Sequence, residues 1–281
     1  MRARLFFAAL FLTMLLLLPM IGLVQYFSVQ RQMQERVRRA NASGMAVQVD
    51  PASRYTGSLL LAIQQEEPQF VLLCMDAPAA KMTLCGLPGS LQVDAPSGTT
   101  TLAQAYMTAG PARVVQLLEK TIGTMPQHYL AATPSCYAGF WQDGTTARLD
   151  MAAFAEQAGE NAVIEIDVAT AETALRTLGA EQNDAGAARL LAGFLAALLR
   201  QNPQQLAALP GNARQASAYI LTDLRAQDWN TLEQVFAYFA NTPALEIETE
   251  LPAFASRPRG ELALTENGKQ TIQNMLEQHG G

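Results

Sequence analysis

Histidine is almost missing from this chain: His128 and His279 are the two in 281 residues. That excludes multi-histidine metal centres and most zinc clusters, which need imidazole or thiolate donors at set spacings. Cysteine is scarce too, with three residues and no Cys-x-x-Cys pair, so no dithiol redox motif is encoded. There is no Gly-x-Ser-x-Gly elbow, no His-Glu-x-x-His helix and no glycine-rich phosphate loop, which removes the local signatures of serine hydrolases, zincins and P-loop nucleotide binding. Charged residues make up 16% of the chain, against about 25% in soluble domains. Positive charge is what the body lacks most. Residues 1–40 hold six arginines and one glutamate, whereas residues 41–281 hold 13 basic and 24 acidic residues, a net of −11. Sequence-independent nucleic-acid binding depends on neutralising phosphates, so a nucleic-acid partner is not expected. Paired carboxylates occur at Glu66 and Glu67, Glu165 and Asp167, and Glu246 and Glu248. Each reads as turn polarity or the wet face of a strand, and no constellation makes an enzyme on its own.

What is present begins with a long apolar run. From Leu5 to Gln30 no residue is charged, and Thr13 is the clear polar interruption before Val24. As a helix this run would extend about 39 Å, more than the roughly 30 Å hydrocarbon core of a bilayer. No small-x-small cleavage site follows it. The expectation is a short tail (1–4), an uncleaved transmembrane signal anchor (5–27) with Tyr26 and Phe27 at one interface, and a juxtamembrane helix and linker (28–57). Arg31, Arg36, Arg38 and Arg39 follow the span and Arg2 and Arg4 precede it. A count of positive charges alone would turn the C-terminal side toward the cytoplasm.

Residues 58–281 alternate strand-like and helix-like segments. SLLLAI (58–63), QFVLLCM (69–75) and KMTLCGL (81–87) are short apolar runs between turn residues and predict three strands. Pro111 suits a first helical position, Val114, Val115, Leu117, Leu118 and Ile122 form one face, and Gly123 stops the helix. HYLAA (128–132), AVIEIDV (162–168), QASAYIL (215–221) and ALEIETEL (244–251) read as further strands. Helices are expected around Trp229–Phe239, with Asp228 as N-cap, and over about 266–278. GAARLLAGFLAALL (186–199) is apolar nearly all round but too short to span a bilayer, so it is a buried helix or the wall of an apolar cavity. The fold class is therefore α/β: a single domain with a central mixed β-sheet flanked by helices, preceded by one transmembrane helix. If the hairpin after residue 75 centres on Ala79 and Ala80, Cys74 faces Cys85, and a cross-strand disulfide becomes available outside the cytoplasm. Two buried thiols are the other reading of the same pair, and Cys136 has no evident partner.

Residues 81–130 carry a familiar order of features. Leu87-Pro88 ends a strand, the pair Ala105-Tyr106 comes next, Gly110-Pro111 precedes an amphipathic helix, and Gly123 follows it before a strand. This resembles the LytR-CpsA-Psr family of membrane-anchored bacterial envelope proteins, in outline over about 55–278. The resemblance implies an extracytoplasmic α/β domain holding a polyprenyl (pyro)phosphate in an apolar cavity. It also implies transfer of a glycopolymer to peptidoglycan, with arginines and Mg²⁺ on the pyrophosphate. Developing charge on phosphoryl oxygens needs such partners. The chain departs from the family at those positions. Gly89-Ser90 stands where Arg-Asp is expected, Glu67-Pro68-Gln69 where Arg-Ser-Asp is, and Ala103 or Gln104 where Asn is. In Asp184-Ala185-Gly186-Ala187-Ala188-Arg189-Leu190, two further expected arginines are Ala187 and Leu190, and Arg189 is out of register. No catalytic residue and no cofactor are therefore assigned, Mg²⁺ entering only if the family activity were retained through relocated groups such as Arg113, Arg148 or Arg189. Phe194, Leu195, Leu198 and Leu199, with Phe140 and Trp141 opposite, are the candidates for a surviving lipid cavity. The expectation is a degenerate, non-catalytic member at the bacterial cell membrane that binds polyprenyl lipid or modulates active relatives. An active transferase, an interaction module without a lipid site, and a tethered regulator facing the cytoplasm are the alternatives.

Overall fold

The computed structural model describes residues 51–96, 98–151, 163–180 and 182–280. The anchor expected over 5–27, and the juxtamembrane stretch as far as residue 50, lie outside the described residues. Among the described residues no helix is long and apolar enough to cross a membrane.

Three leucine-rich runs make the centre of the sheet. Strands β1 (Thr56–Ile63), β2 (Gln69–Asp76) and β3 (Lys81–Leu87) form an antiparallel meander whose residues are buried on both faces. The turn from β2 to β3 is set by Asp76, whose carboxylate accepts a hydrogen bond from the Ala79 amide at 2.9 Å. Ala80 then takes a left-handed conformation, φ 52°. These two devices start the turn one residue earlier than a centre at Ala79 and Ala80 would. Asp76 consequently faces Lys81, Cys74 faces Thr83, and Leu72 faces Cys85. The possible 74–85 disulfide is corrected on this point, and the other reading of the pair holds: the register differs by two residues, and both cysteines are buried free thiols.

Strand β6 (His128–Ala132) lies parallel to β1, and β10 (Glu246–Glu250) parallel to β3. A two-residue strand, β9 (Leu221–Thr222), runs antiparallel to β6. The six-stranded sheet has the order β10-β3-β2-β1-β6-β9 and is mixed. At its β10 edge Lys81 pairs with Glu248 at 2.7 Å, and the Arg200 guanidinium donates to the Ile247 carbonyl. The strand expected over 215–221 is mostly something else. Helix α6 (Leu209–Gln215) holds its first residue, and a 3₁₀ turn at Ser217–Tyr219 closes with the Tyr219 amide on the Ala216 carbonyl.

Helices cover both faces of the sheet, with the short helices α2 (Pro134–Ala138) and α5 (Pro203–Leu206) and the small hairpin β4 (Gln92–Ala95) and β5 (Gly98–Thr101) between longer elements. On one face sit α1 (Leu102–Ile122) and α8 (Glu266–Gly280), packed on Leu60, Phe70, Leu72 and Leu87. Helix α1 has two arms, because Ala109 (φ −147°) and Gly110 (φ 73°) interrupt it. Pro111 opens the second arm and Gly123, at φ 93°, ends it. On the other face lie α4 (Asp184–Gln201), α6 and α7 (Ala226–Ala240), against Leu59, Val71, Leu73 and Leu84. Helix α7 begins one turn earlier than its expected cap. Asp228 is not the N-cap but the residue three positions in, and its carboxylate accepts from the Arg225 amide. Outside α4 a further layer is built from the hairpin β7 (Thr146–Asp150) and β8 (Val163–Asp167) with helix α3 (Ala171–Ala180). Leu190, Phe194, Ala197 and Leu198 of α4 pack into that layer while Leu191, Ala192, Ala196 and Leu199 pack toward the sheet. This explains a helix apolar nearly all round: both of its broad faces are interior.

Candidate functional site

Strands β1, β3, β6 and β10 run the same way, so Ile63, Leu87, Ala132 and Glu250 end at one edge of the sheet. Open α/β sheets bind ligands outside that carboxyl edge. Four segments are knitted together there. The loop Pro88–Leu91 leaves β3, and its Gly89 and Leu91 carbonyls accept the Ala103 and Leu102 amides of α1, both at 2.9 Å. A Cβ on Gly89 would stand 2.8 Å from the Pro68 carbonyl, which places the turn before β2 against the same loop. The Ser90 amide donates to the Asp184 carboxylate at 2.9 Å, fixing the start of α4. A Cβ on Gly86 would meet the Ala188 carbonyl at 2.0 Å, so helix and strand touch backbone to backbone. The fourth partner is a small hairpin, β11 (Phe254–Ser256) and β12 (Leu262–Leu264), whose Leu262 amide donates to the Ser90 carbonyl at 3.2 Å.

The helix ends at this edge are capped from within. Thr101 and Gln104 form a reciprocal box at α1, and Asn183 accepts the Gly186 amide at α4. Three polar atoms at the edge have no partner among the described residues: Ser90 Oγ, Tyr106 Oη and Gln182 Oε1, each shut off from solvent. Tyr106 is buried edge-on against Phe70, ring centroids 5.8 Å apart, and burial pushes its phenol pKa up.

The positions where the family resemblance calls for cations hold none. Gly89 and Ser90 are loop backbone in the contacts above. Ala187 lies against Gly179 of α3, where a Cβ would come within 3.2 Å, and Leu190 is fully buried in the outer layer. Of the relocated candidates, Arg148 pairs with Glu165 at 3.2 Å on the exposed β7–β8 hairpin, and Arg113 donates to Gln116 within its own helix. Arg189 is half-buried and has neither a hydrogen bond nor an ion pair among the described residues. Mg²⁺ does not fit the donors present. Among the described residues no group of three His, Cys, Asp or Glu side chains converges, and Asp184 beside the loop is already engaged by Ser90.

The six candidates for a lipid cavity are brought together around α4 but divided between its two faces. Phe140 and Leu199 belong to the core under the sheet, and Phe194 and Leu198 to the outer layer. Trp141 and Leu195 touch both. The sequence did not point to a shallow depression of about 290 Å³ lined by Thr133, Ser135, Cys136, Gly139, Ala216 and Tyr219. Nor did it single out Arg257 and Arg259, exposed at the tip of the β11–β12 hairpin. The signal was the Pro-Arg-Gly turn in an otherwise acidic body.

No family model and no curated protein matches the sequence. Solved structures do match in shape. A protein of Enterococcus faecalis described as a transcriptional regulator aligns with TM-score 0.62 and 15% identity, over 82% of this chain and 89% of its own. TagT bound to LI-WTA aligns with TM-score 0.60 and 12% identity, over 84% and 95%. TagV of B. subtilis aligns with TM-score 0.56 and 13% identity, over 80% and 97%. TagT and TagV are LytR-CpsA-Psr enzymes. At these identities the likeness speaks for architecture, and the conclusion it supports is that this chain has the LytR-CpsA-Psr fold.

Proposed function

We propose that this chain is a single-pass protein of the bacterial cell membrane whose extracytoplasmic domain binds a polyprenyl lipid, or modulates glycopolymer attachment by active relatives, without transferring a glycopolymer itself. One observation supports this most. At the carboxyl edge, where phosphoryl transfer would need cations, the backbone amide of Ser90 is taken by the Asp184 carboxylate instead of being left for an anion. Removing one transition-state donor costs on the order of 10²–10³ in rate, and here Gly89, Ala187 and Leu190 replace several together. Orientation rests on the resemblance and the apolar N-terminal run, since the free thiols of Cys74 and Cys85 no longer argue for an oxidising compartment. A DNA-binding reading, suggested by the name of the Enterococcus faecalis protein, has the net −11 of residues 41–281 against it.

The test is mass spectrometry of lipids extracted from the full chain purified in mild detergent, with TagT as the loaded control. A stoichiometric polyprenyl phosphate or pyrophosphate is expected; an empty extract beside a loaded control overturns lipid binding. A second reading, an active phosphotransferase, is favoured by Arg189, which is unpaired among the described residues. Turnover of a lipid-linked glycan above background would establish it and defeat the non-catalytic reading.

A further inference from the structure

His128 opens β6, next to the edge strand β9. Its side chain is largely covered, and Nδ1 is shut off from solvent with no hydrogen-bond partner among the described residues. What faces that nitrogen is a carboxylate, Asp223 Oδ2, at 3.5 Å. Asp223 directly follows β9, and its other oxygen, Oδ1, accepts the Tyr129 amide at 3.0 Å. One residue back, the Thr222 hydroxyl donates to the Tyr129 carbonyl at 2.6 Å. Strand β9 itself has two paired residues, Leu221 with Ala131 and Thr222 with Leu130. Leu221 is half exposed, so little apolar burial adds to this attachment. The side chains of Thr222 and Asp223 therefore supply much of what ties β9 to the sheet. Just before β9, Ala216 and Tyr219 line the depression of about 290 Å³ together with Thr133, Ser135, Cys136 and Gly139.

We infer that His128 and Asp223 form a proton-operated latch that holds β9, and with it one wall of the depression, against β6. A neutral imidazole presents Nδ1 to the carboxylate without the attraction of opposite charges. A proton taken from solvent makes both ring nitrogens donors and the ring a cation, which draws Nδ1 onto Oδ2. Among the described residues, the one ion-pair contact of each group is the other. From β1, Leu59 lies in register with His128, and the Ser58 hydroxyl accepts the Gln127 amide; neither carries a charge. On β6 the neighbour is Tyr129, its phenol pushed up by burial and then by Asp223. Helix α1, packed on β6, ends in the exposed Glu119 and Lys120. Arg225 follows β9, and the Asp228 carboxylate of α7 accepts its amide. The latch is strongest where Asp223 is ionised and His128 protonated, at about pH 5 to 6, between the ordinary carboxylate and imidazole ranges. Raising the pH through the imidazole range removes the cation and loosens β9; strong acid removes the carboxylate. The latch goes beyond the lipid-binding reading and holds whether or not a lipid is bound.

The test is amide hydrogen exchange of the full chain in mild detergent at about pH 5.5 and about pH 8, corrected for the intrinsic pH dependence of exchange. Peptides spanning 219–225 and 128–132 should be protected about threefold more at the lower pH, the scale of a partly exposed ion pair. Peptides from β2 should not change, and high salt should shrink the difference. His128→Gln should abolish it. Asp223→Asn should abolish it as well, while keeping an amide oxygen for Tyr129, which separates the charge from the shape of the joint. Equal protection of the wild type at both pH values, or a change of opposite sign, overturns the latch. So does a pH effect that survives in either variant; survival in His128→Gln would assign it to His279, the other histidine. If His128→Gln does not fold, the wild-type profile and Asp223→Asn decide the matter.

Discussion

At Gly86 the backbone of α4 lies where a side chain would begin, since a Cβ there would sit 2.0 Å from the Ala188 carbonyl. Gly86→Ala must push the helix off the strand, an overpacking cost of about 1–3 kcal/mol, read as a fall of several degrees in thermal melting. Nothing in the sequence marked this glycine out, because the need comes from a helix about a hundred residues away. The thiols are a second case of tertiary context overriding local reading. Burial pushes the Cys74 thiol up to about 12 and raises that of Cys85 as well. At pH 8 in native buffer, a chromogenic disulfide reagent should therefore titrate one of the three cysteines, the partly exposed Cys136, and all three after unfolding. Rapid native labelling of Cys74 or Cys85 would show that β2 and β3 are not packed as described. The six cavity candidates were legible as apolar residues near one helix. That α4 has two interior faces, and so sends them to different cores, was not, because periodicity cannot say what lies beyond a helix.

Elements were most legible where one run of residues carried the whole signal. The meander β1–β3 and the second arm of α1 follow the sequence closely, from Leu-rich runs and from Pro111 and Gly123 at the ends of the helix. The first arm of α1 was legible only through the family resemblance at Ala105-Tyr106, because Ala109 and Gly110 break the helical pattern, and 215–221 was misread because Tyr219, 80% exposed, sits in a turn and not on a strand. The start of α7 shows how a cap fails when the expected residue reciprocates instead. Asp228→Ala leaves the Arg225 amide without its acceptor and should cost about 1 kcal/mol of stability, measured by chemical denaturation. On the β7–β8 hairpin, Glu165 accepts from Thr146 and then Arg148, which holds its carboxyl below the usual range. A depressed folded pKa gives stability that is present above the unfolded value and lost as pH falls through the folded one. Amide exchange of β7 and β8 should thus quicken on acidification through that range, and Glu165→Gln should flatten the dependence.

For the molecule as a whole, the mixed α/β class and its flanking helices were readable from the alternation of segments, while strand order was not, since β6 and β10 join the sheet through distant partners. Charge was readable outright. With 13 basic and 24 acidic residues over 41–281, the chain should show no anisotropy change with duplex DNA at physiological salt, and a micromolar transition would contradict the electrostatic argument. The two ends of the sheet meet solvent differently. Strand β9 is two residues long, too short to template another chain. Strand β10 is longer, and a bare parallel edge of that length invites a stray strand from a neighbouring copy. The guanidinium of Arg200 sits on the carbonyl of Ile247, so the acceptor an intruding strand would seek is already occupied, and the wet positions beside it are glutamates. Arg200 thus works as a guard against self-association: Arg200→Ala should leave the domain folded while making concentrated samples prone to fibril-like assembly.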